Sequence, residues 1–113
     1  MSPKKNPLNL NPLQLKTLTL MQELARSPDH SDRLGDGSVR VSALPHPHGD
    51  HFHVGAAVVL ARDATGLVNP AAWTALERKG LIKSEFPDAV TLTAEGLAYE
   101  TGLADQILHR GHH

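Results

Sequence analysis

A run of alternating residues from Val39 to Leu60 constrains this 113-residue chain more than any other stretch. Gly49-Asp50 can supply the positive φ of a tight two-residue turn, so the run reads as a hairpin reversing there. Opposed residues of a hairpin share a face, and successive residues alternate faces. One face then carries Val39, Val41, Ala43, Pro45 and Pro47 against Phe52, Val54, Ala56, Val58 and Leu60, and it is apolar throughout. The other carries Arg40, Ser42, Leu44, His46 and His48 against His51, His53, Gly55, Ala57 and Val59. A slip of one residue would mix the two sets, so the pattern argues for this register.

In that register His46, His48, His51 and His53, half of the chain's 8 histidines, gather at the hairpin tip. Opposed strand residues have Cβ atoms about 4.5–5.5 Å apart, close enough for imidazoles to share an ion with Zn–N bonds of about 2.0–2.1 Å. The expectation is a metal site in which His51 and His53 chelate from one strand and His46 or His48 completes the set. Neutral imidazole suits zinc, nickel, copper or iron, and composition does not choose among them. A solvated polar tip or a pH-sensitive interface is the plainer reading of the same residues. Pro45 and Pro47 also lack the backbone donors a regular ladder would use.

The charge balance, 11 basic against 12 acidic residues, advertises neither nucleic acid nor anionic lipid, so a DNA-binding role needs a local basic patch. With no cysteine, disulfides and thiolate metal sites are excluded. No apolar run approaches the roughly 18–20 residues of a membrane span, which leaves no membrane role and a cytoplasmic protein as the expectation. No nucleophile–base or paired-carboxylate arrangement emerges, so the chain does not read as an enzyme. Residues 1–10 are expected to be a flexible arm, 11–109 a single domain and 110–113 a flexible tail.

Asn11-Pro12 starts a helix over about 12–26: Asn caps, and Pro occupies the first position, where its missing N–H costs nothing. Leu13, Leu20, Met21 and Leu24 share one arc of it, while Lys16, Thr19, Gln22, Glu23 and Arg26 form the opposite side. The polar stretch Ser27–Ser38 reads as a loop, with one helical turn near Asp32–Leu34. Asn69-Pro70 repeats the helix start for a helix over about 70–79, with Ala72, Trp73 and Leu76 inward and Gly80 as the residue that ends it. Two strands around Pro87-Asp88 cover about 81–92, and Thr93 caps a C-terminal helix over about 94–108 that Gly102 interrupts.

The order helix, Leu76-Glu77-Arg78-Lys79-Gly80-Leu81-Ile82, hairpin, Leu92-Thr93-Ala94-Glu95-Gly96 resembles the second half of the MarR-type bacterial regulators over about residues 69–101. The resemblance implies an α+β, winged-helix-like domain, with the 39–60 hairpin inserted where the second helix of the helix-turn-helix should lie. It implies a small regulatory protein, homodimeric by family habit and by the apolar ends of the first and last helices. DNA would be contacted through Thr74, Arg78, Lys79 and Lys83. Metal at the histidine tip would pin the hairpin and bias the 70–79 helix. The wing tip Phe86-Pro87-Asp88-Ala89 departs from that family's basic wing. The alternative is therefore a module for metal handling or a protein partner that binds no nucleic acid.

Overall fold

A computed structural model of the chain describes residues 6–42, 44–45, 49–54 and 57–110. Helix α1 (Pro12–Ala25) runs through its middle and is covered on nearly every side. Asn11 accepts a hydrogen bond from the Gln14 amide, and Gln14 returns one from its side chain to the Asn11 amide, closing a capping box. Leu18, Leu20, Met21 and Leu24 are fully buried, and, against the amphipathic reading, Thr19 and Glu23 are buried too. The polar side is not solvent-facing because the Gly96–Thr101 segment lies over it. Thr19 Oγ1 meets Thr101 Oγ1 at 2.6 Å, and Gln22 Nε2 donates to the Gly96 and Tyr99 carbonyls at 2.9 and 2.7 Å. Burying these groups is affordable because each has a partner.

Four strands form an antiparallel sheet in the order β1 (Ser31–Arg33), β2 (Val39–Val41), β6 (Ala89–Leu92) and β5 (Ile82–Glu85). The expected loop at Ser27–Ser38 is thus partly strand. Ser31–Arg33 pairs with Val39–Val41 across a turn in which Gly35 and Gly37 have φ of +69° and +91°, and its polar residues are what an exposed edge strand tolerates. The anticipated pair of strands over 81–92 is present, with Ile82 opposite Leu92 and Glu85 opposite Ala89. It is not a free-standing ribbon, because β2 pairs with β6 along its other side, Val39 opposite Leu92 and Val41 opposite Val90. Val39, Val41, Ile82, Val90 and Leu92 turn inward to α1 and to α2 (Pro70–Arg78).

That pairing overturns the hairpin drawn over 39–60. Val39–Val41 never meets residues 58–60; instead β3 (His51–Val54) pairs with β4 (Ala57–Leu60), His51 opposite Leu60 and Val54 opposite Ala57. Residues 55–56, between these two strands in the sequence, lie outside the described residues, as do His46 and His48 of the expected tip. Gly49-Asp50 is a turn, with Gly49 at φ +65°, but it leads into β3 rather than joining two paired strands. The physical reason is the phase of the alternation. Phe52, Val54, Ala57 and Val59 are the buried set, so the inward parity switches between Val54 and Ala57, as a two-residue connection requires.

Two short turns of 3-10 helix, Ala61–Asp63 and Thr65–Val68, lead from β4 to α2. The second packs so closely on α1 that a Cβ on Gly66 would overlap the buried Thr17 hydroxyl. The C-terminal helix expected over 94–108 with an interruption at Gly102 is two short helices, α3 (Ala94–Ala98) and α4 (Ala104–Ile107), with extended backbone at Tyr99 and Gly102 at φ +73° between them. His109–Arg110 then forms β7, which adds to β4 and completes a second sheet ordered β3-β4-β7. Ile107 and Leu108, read as a dimerising end, are buried in the chain's own core.

The supposed arm is fastened from Asn6 onward. Leu10 is buried, the Tyr99 hydroxyl donates to Asn6 Oδ1 at 2.6 Å and accepts from the Leu8 amide at 3.0 Å. Among the described residues no helix is long and apolar enough to cross a membrane.

Candidate functional site

Helix α2 begins where Asn69 accepts a hydrogen bond from the Ala71 amide at 2.9 Å, with Pro70 at the first position. Its inward stripe is Ala72, Trp73 and Leu76. Trp73 is fully buried, donates from Nε1 to the Gly66 carbonyl at 3.0 Å, and meets Phe86 edge-on at 5.0 Å. Phe86 belongs to the turn between β5 and β6, so that turn is held against the helix by an aromatic pair. The helix ends in two bonds, Gly80 amide to Glu77 carbonyl at 3.0 Å and Leu81 amide to Leu76 carbonyl at 3.2 Å, with Gly80 at φ +77°. This is the Schellman arrangement.

The segment after Gly80 is locked to the start of α3. Thr93 donates from its amide to the Leu81 carbonyl at 3.1 Å and from its hydroxyl to the Gly80 carbonyl at 2.8 Å. The same hydroxyl accepts the Gly96 amide at 3.0 Å. A Cβ on Gly96 would overlap the Leu81 carbonyl oxygen. Gly80-Leu81 and Leu92-Thr93-Ala94-Glu95-Gly96 are therefore two halves of one clasp, which aims α2 relative to the sheet.

The four expected contact residues do not share a surface. Thr74 and Arg78 are exposed one turn apart on α2. Lys79 is turned away, donating from Nζ to the Leu8 carbonyl at 2.7 Å. Lys83 stands on the outer face of the four-stranded sheet, in the row Asp32–Arg40–Thr91–Lys83, while α2 packs on the inner face. That outer face is a mixed-charge ladder. Arg40 donates from Nε and a terminal nitrogen to the two oxygens of Glu85, both at 3.0 Å. The guanidinium holds the Glu85 carboxyl below its ordinary value, and the carboxylate raises Arg40 in return. Hydrogen bonds from the Ser38 hydroxyl and amide lower Asp36, with Lys83 adding a small favourable charge.

On β3, His51 and His53 project from the outer face while Phe52 and Val54 are buried beneath. Their rings lie 5.1 Å apart, centre to centre, with planes at 81°. Asp50 Oδ1 is 3.5 Å from His51 Nδ1. Val58 pairs with both His53 and His109, so a third imidazole faces the same way from β7. His109 escaped the sequence reading because residues 94–108 looked helical; the signal was the break at Gly102, after which no full helix remained. Among the described residues no group of three or more His, Cys, Asp or Glu side chains is placed to hold one ion.

Sequence reading also missed a cleft of about 520 Å³ lined by Gln22, Arg26, Arg33, Ser38, Val39 and Leu97, between the end of α1, the β1–β2 hairpin and α3. Its guanidiniums come from the end of α1 and from β1, and the Leu97 that closes it comes from α3, far along the chain. Compared with family models, curated proteins and solved structures, the chain has no match.

Proposed function

We propose that the chain is a small regulatory protein of winged-helix type that lays α2 in the major groove of DNA. The observation that carries this reading is the element order: α1, a strand β2 pairing with β6 at the sheet centre, then α2, β5 and β6. The strand order β1-β2-β6-β5, with α1 and α2 on the inner face, is compatible with a winged helix carrying an added edge strand. In it the 3-10 turns at 61–68 stand where a helix-turn-helix has its second helix, and β3–β4 is an insertion before them. The clasp of Gly80-Leu81 with Thr93 and Gly96 gives a physical reason for the two motifs shared with the MarR-type regulators.

Among the outward residues of α2, which are Ala71, Thr74, Glu77 and Arg78, the first two and Arg78 fit groove contact. Small side chains let the helix approach base edges, Ala and the Thr methyl suit a thymine methyl, and Arg reaches phosphate or guanine. The basic set is thin, since Lys79 is bonded to the Leu8 carbonyl and Lys83 faces the other way. Few phosphates are then neutralised. At about 0.9 per phosphate, the slope of log affinity against log salt should be about −2 per chain. The test is fluorescence anisotropy on a mixed-sequence duplex across a salt series. Arg78→Ala should flatten the slope by about one. Binding that ignores both salt and Arg78 would remove the DNA reading.

A second reading has its own observation. Glu77 lies on the same exposed side as Arg78, its carboxylate accepting the Ser84 amide at 3.0 Å, and Val68 just before α2 is 69% exposed. A surface of mixed charge with an exposed valine suits a protein partner better than a phosphate backbone. Saturable binding of a protein ligand lost on Val68→Asp, without any duplex affinity, would favour it.

A further inference from the structure

We propose that His51 and His53 form a two-imidazole site for a divalent transition-metal ion, with Asp50 as its orienting carboxylate. Strand alternation sends both side chains to the outer face, and burial of Phe52 at 5% and Val54 at 0% exposure fixes the strand from which they project. For a tetrahedral ion with Zn–N bonds of about 2.0–2.1 Å, ring centres lie about 3.2 Å from the metal and so about 5.2 Å from each other. The observed separation is 5.1 Å. Because χ2 of histidine is a soft, roughly two-fold torsion, aiming one nitrogen of each ring at a common point requires ring rotation and no movement of β3.

Asp50 supplies the outer support that histidine ligands use. Its Oδ1 stands 3.5 Å from His51 Nδ1, and a carboxylate there favours the tautomer protonated on Nδ1, the one that ligates through Nε2. Water or a further donor completes the coordination. Two neutral imidazoles favour copper, nickel and zinc over magnesium or calcium. His109 faces the same side but lies across β4 from His53, two strand spacings or about 10 Å away, outside the shell of the same ion. The site is stated without His46 and His48, which lie outside the described residues. It goes beyond the groove-docking reading and stands whether or not α2 binds DNA.

The test uses the full chain with His112→Ala and His113→Ala, so that the terminal pair does not bind metal, and titrates zinc and nickel chlorides by calorimetry. One ion per chain is expected. His51→Ala and His53→Ala should each weaken binding at least tenfold and Asp50→Asn several-fold, while His109→Ala stays within twofold. Independently, substoichiometric nickel should broaden the ring proton signals of His51 and His53 before those of His30 and His109. Equal affinity in the His51→Ala/His53→Ala double variant, or earlier broadening at His109 or His30, overturns the proposal.

Discussion

Replacing Gly96 by alanine should be a strongly damaging single-methyl change. Gly96 is buried in the first turn of α3, and an added Cβ would sit on the Leu81 carbonyl oxygen. That atom is backbone, and no rotamer change moves it aside. The helix must therefore back away from residues 80–81, and overpacking of this kind costs about 1–3 kcal/mol. Backing away also stretches the bonds from Thr93 to the Gly80 and Leu81 carbonyls, each contributing about 1 kcal/mol. Against this stands the helix preference of alanine over glycine, about 0.5–1 kcal/mol. The net expectation is a loss of about 2–4 kcal/mol, read as a fall in Tm of about 4 °C or more per kcal/mol. Urea denaturation followed by circular dichroism measures it directly. Gly80→Ala is the companion variant: nothing lies within 4 Å of its Cβ, and only its φ of +77° is strained. It should lose about 1–2 kcal/mol. A Gly96→Ala protein as stable as wild type, or less damaged than Gly80→Ala, would refute the clasp.

Three further expectations follow from single contacts. Trp73→Phe removes one of the two donors to the Gly66 carbonyl, the Asn69 amide remaining at 3.2 Å, and should cost about 0.5–1.5 kcal/mol beyond the smaller ring, measured by the same denaturation. Glu85 is held below its ordinary 4.5 by Arg40, so the folded state binds fewer protons than the unfolded one. Its contribution is present above about pH 4.5 and lost as pH falls through the lowered folded value. The pair is exposed, so Glu85→Gln should flatten the acid limb of a Tm–pH curve and change little at neutral pH. Thr93→Ala removes the cap that accepts the Gly96 amide and should cost about 1 kcal/mol, with the loss rescued by Thr93→Ser.

The parts of this fold that are legible in the sequence are those fixed by neighbours along the chain. Asn11-Pro12 and Asn69-Pro70 mark both long helices because capping is a matter of three or four residues. The β5–β6 pair is legible for the same reason: its strands are joined by a short turn. The register of 39–60 is not, because alternation of period two says which residues share a face only until a turn resets the phase. Gly49-Asp50 and Gly55-Ala56 both qualify as turns, and nothing local says that Val39–Val41 has a better partner some fifty residues later in β6. At the candidate sites, His51 and His53 share a face by i, i+2 spacing whatever the register, so that pair survives the correction. Thr74 and Arg78 likewise share a face by helical spacing. Lys79 and Lys83 do not join them, since one is captured by Leu8 and the other is set by sheet pairing, both distant relations.

The claim on which the functional account turns is that α2 is the contact helix. Titrating labelled chain with a duplex and following backbone amide signals tests it most directly. Shifts concentrated at Ala71, Thr74, Ala75 and Arg78, attenuated by Arg78→Ala, are the predicted result. Shifts centred on β3 or on the β1–β2 hairpin, or none at all at low salt, would contradict it.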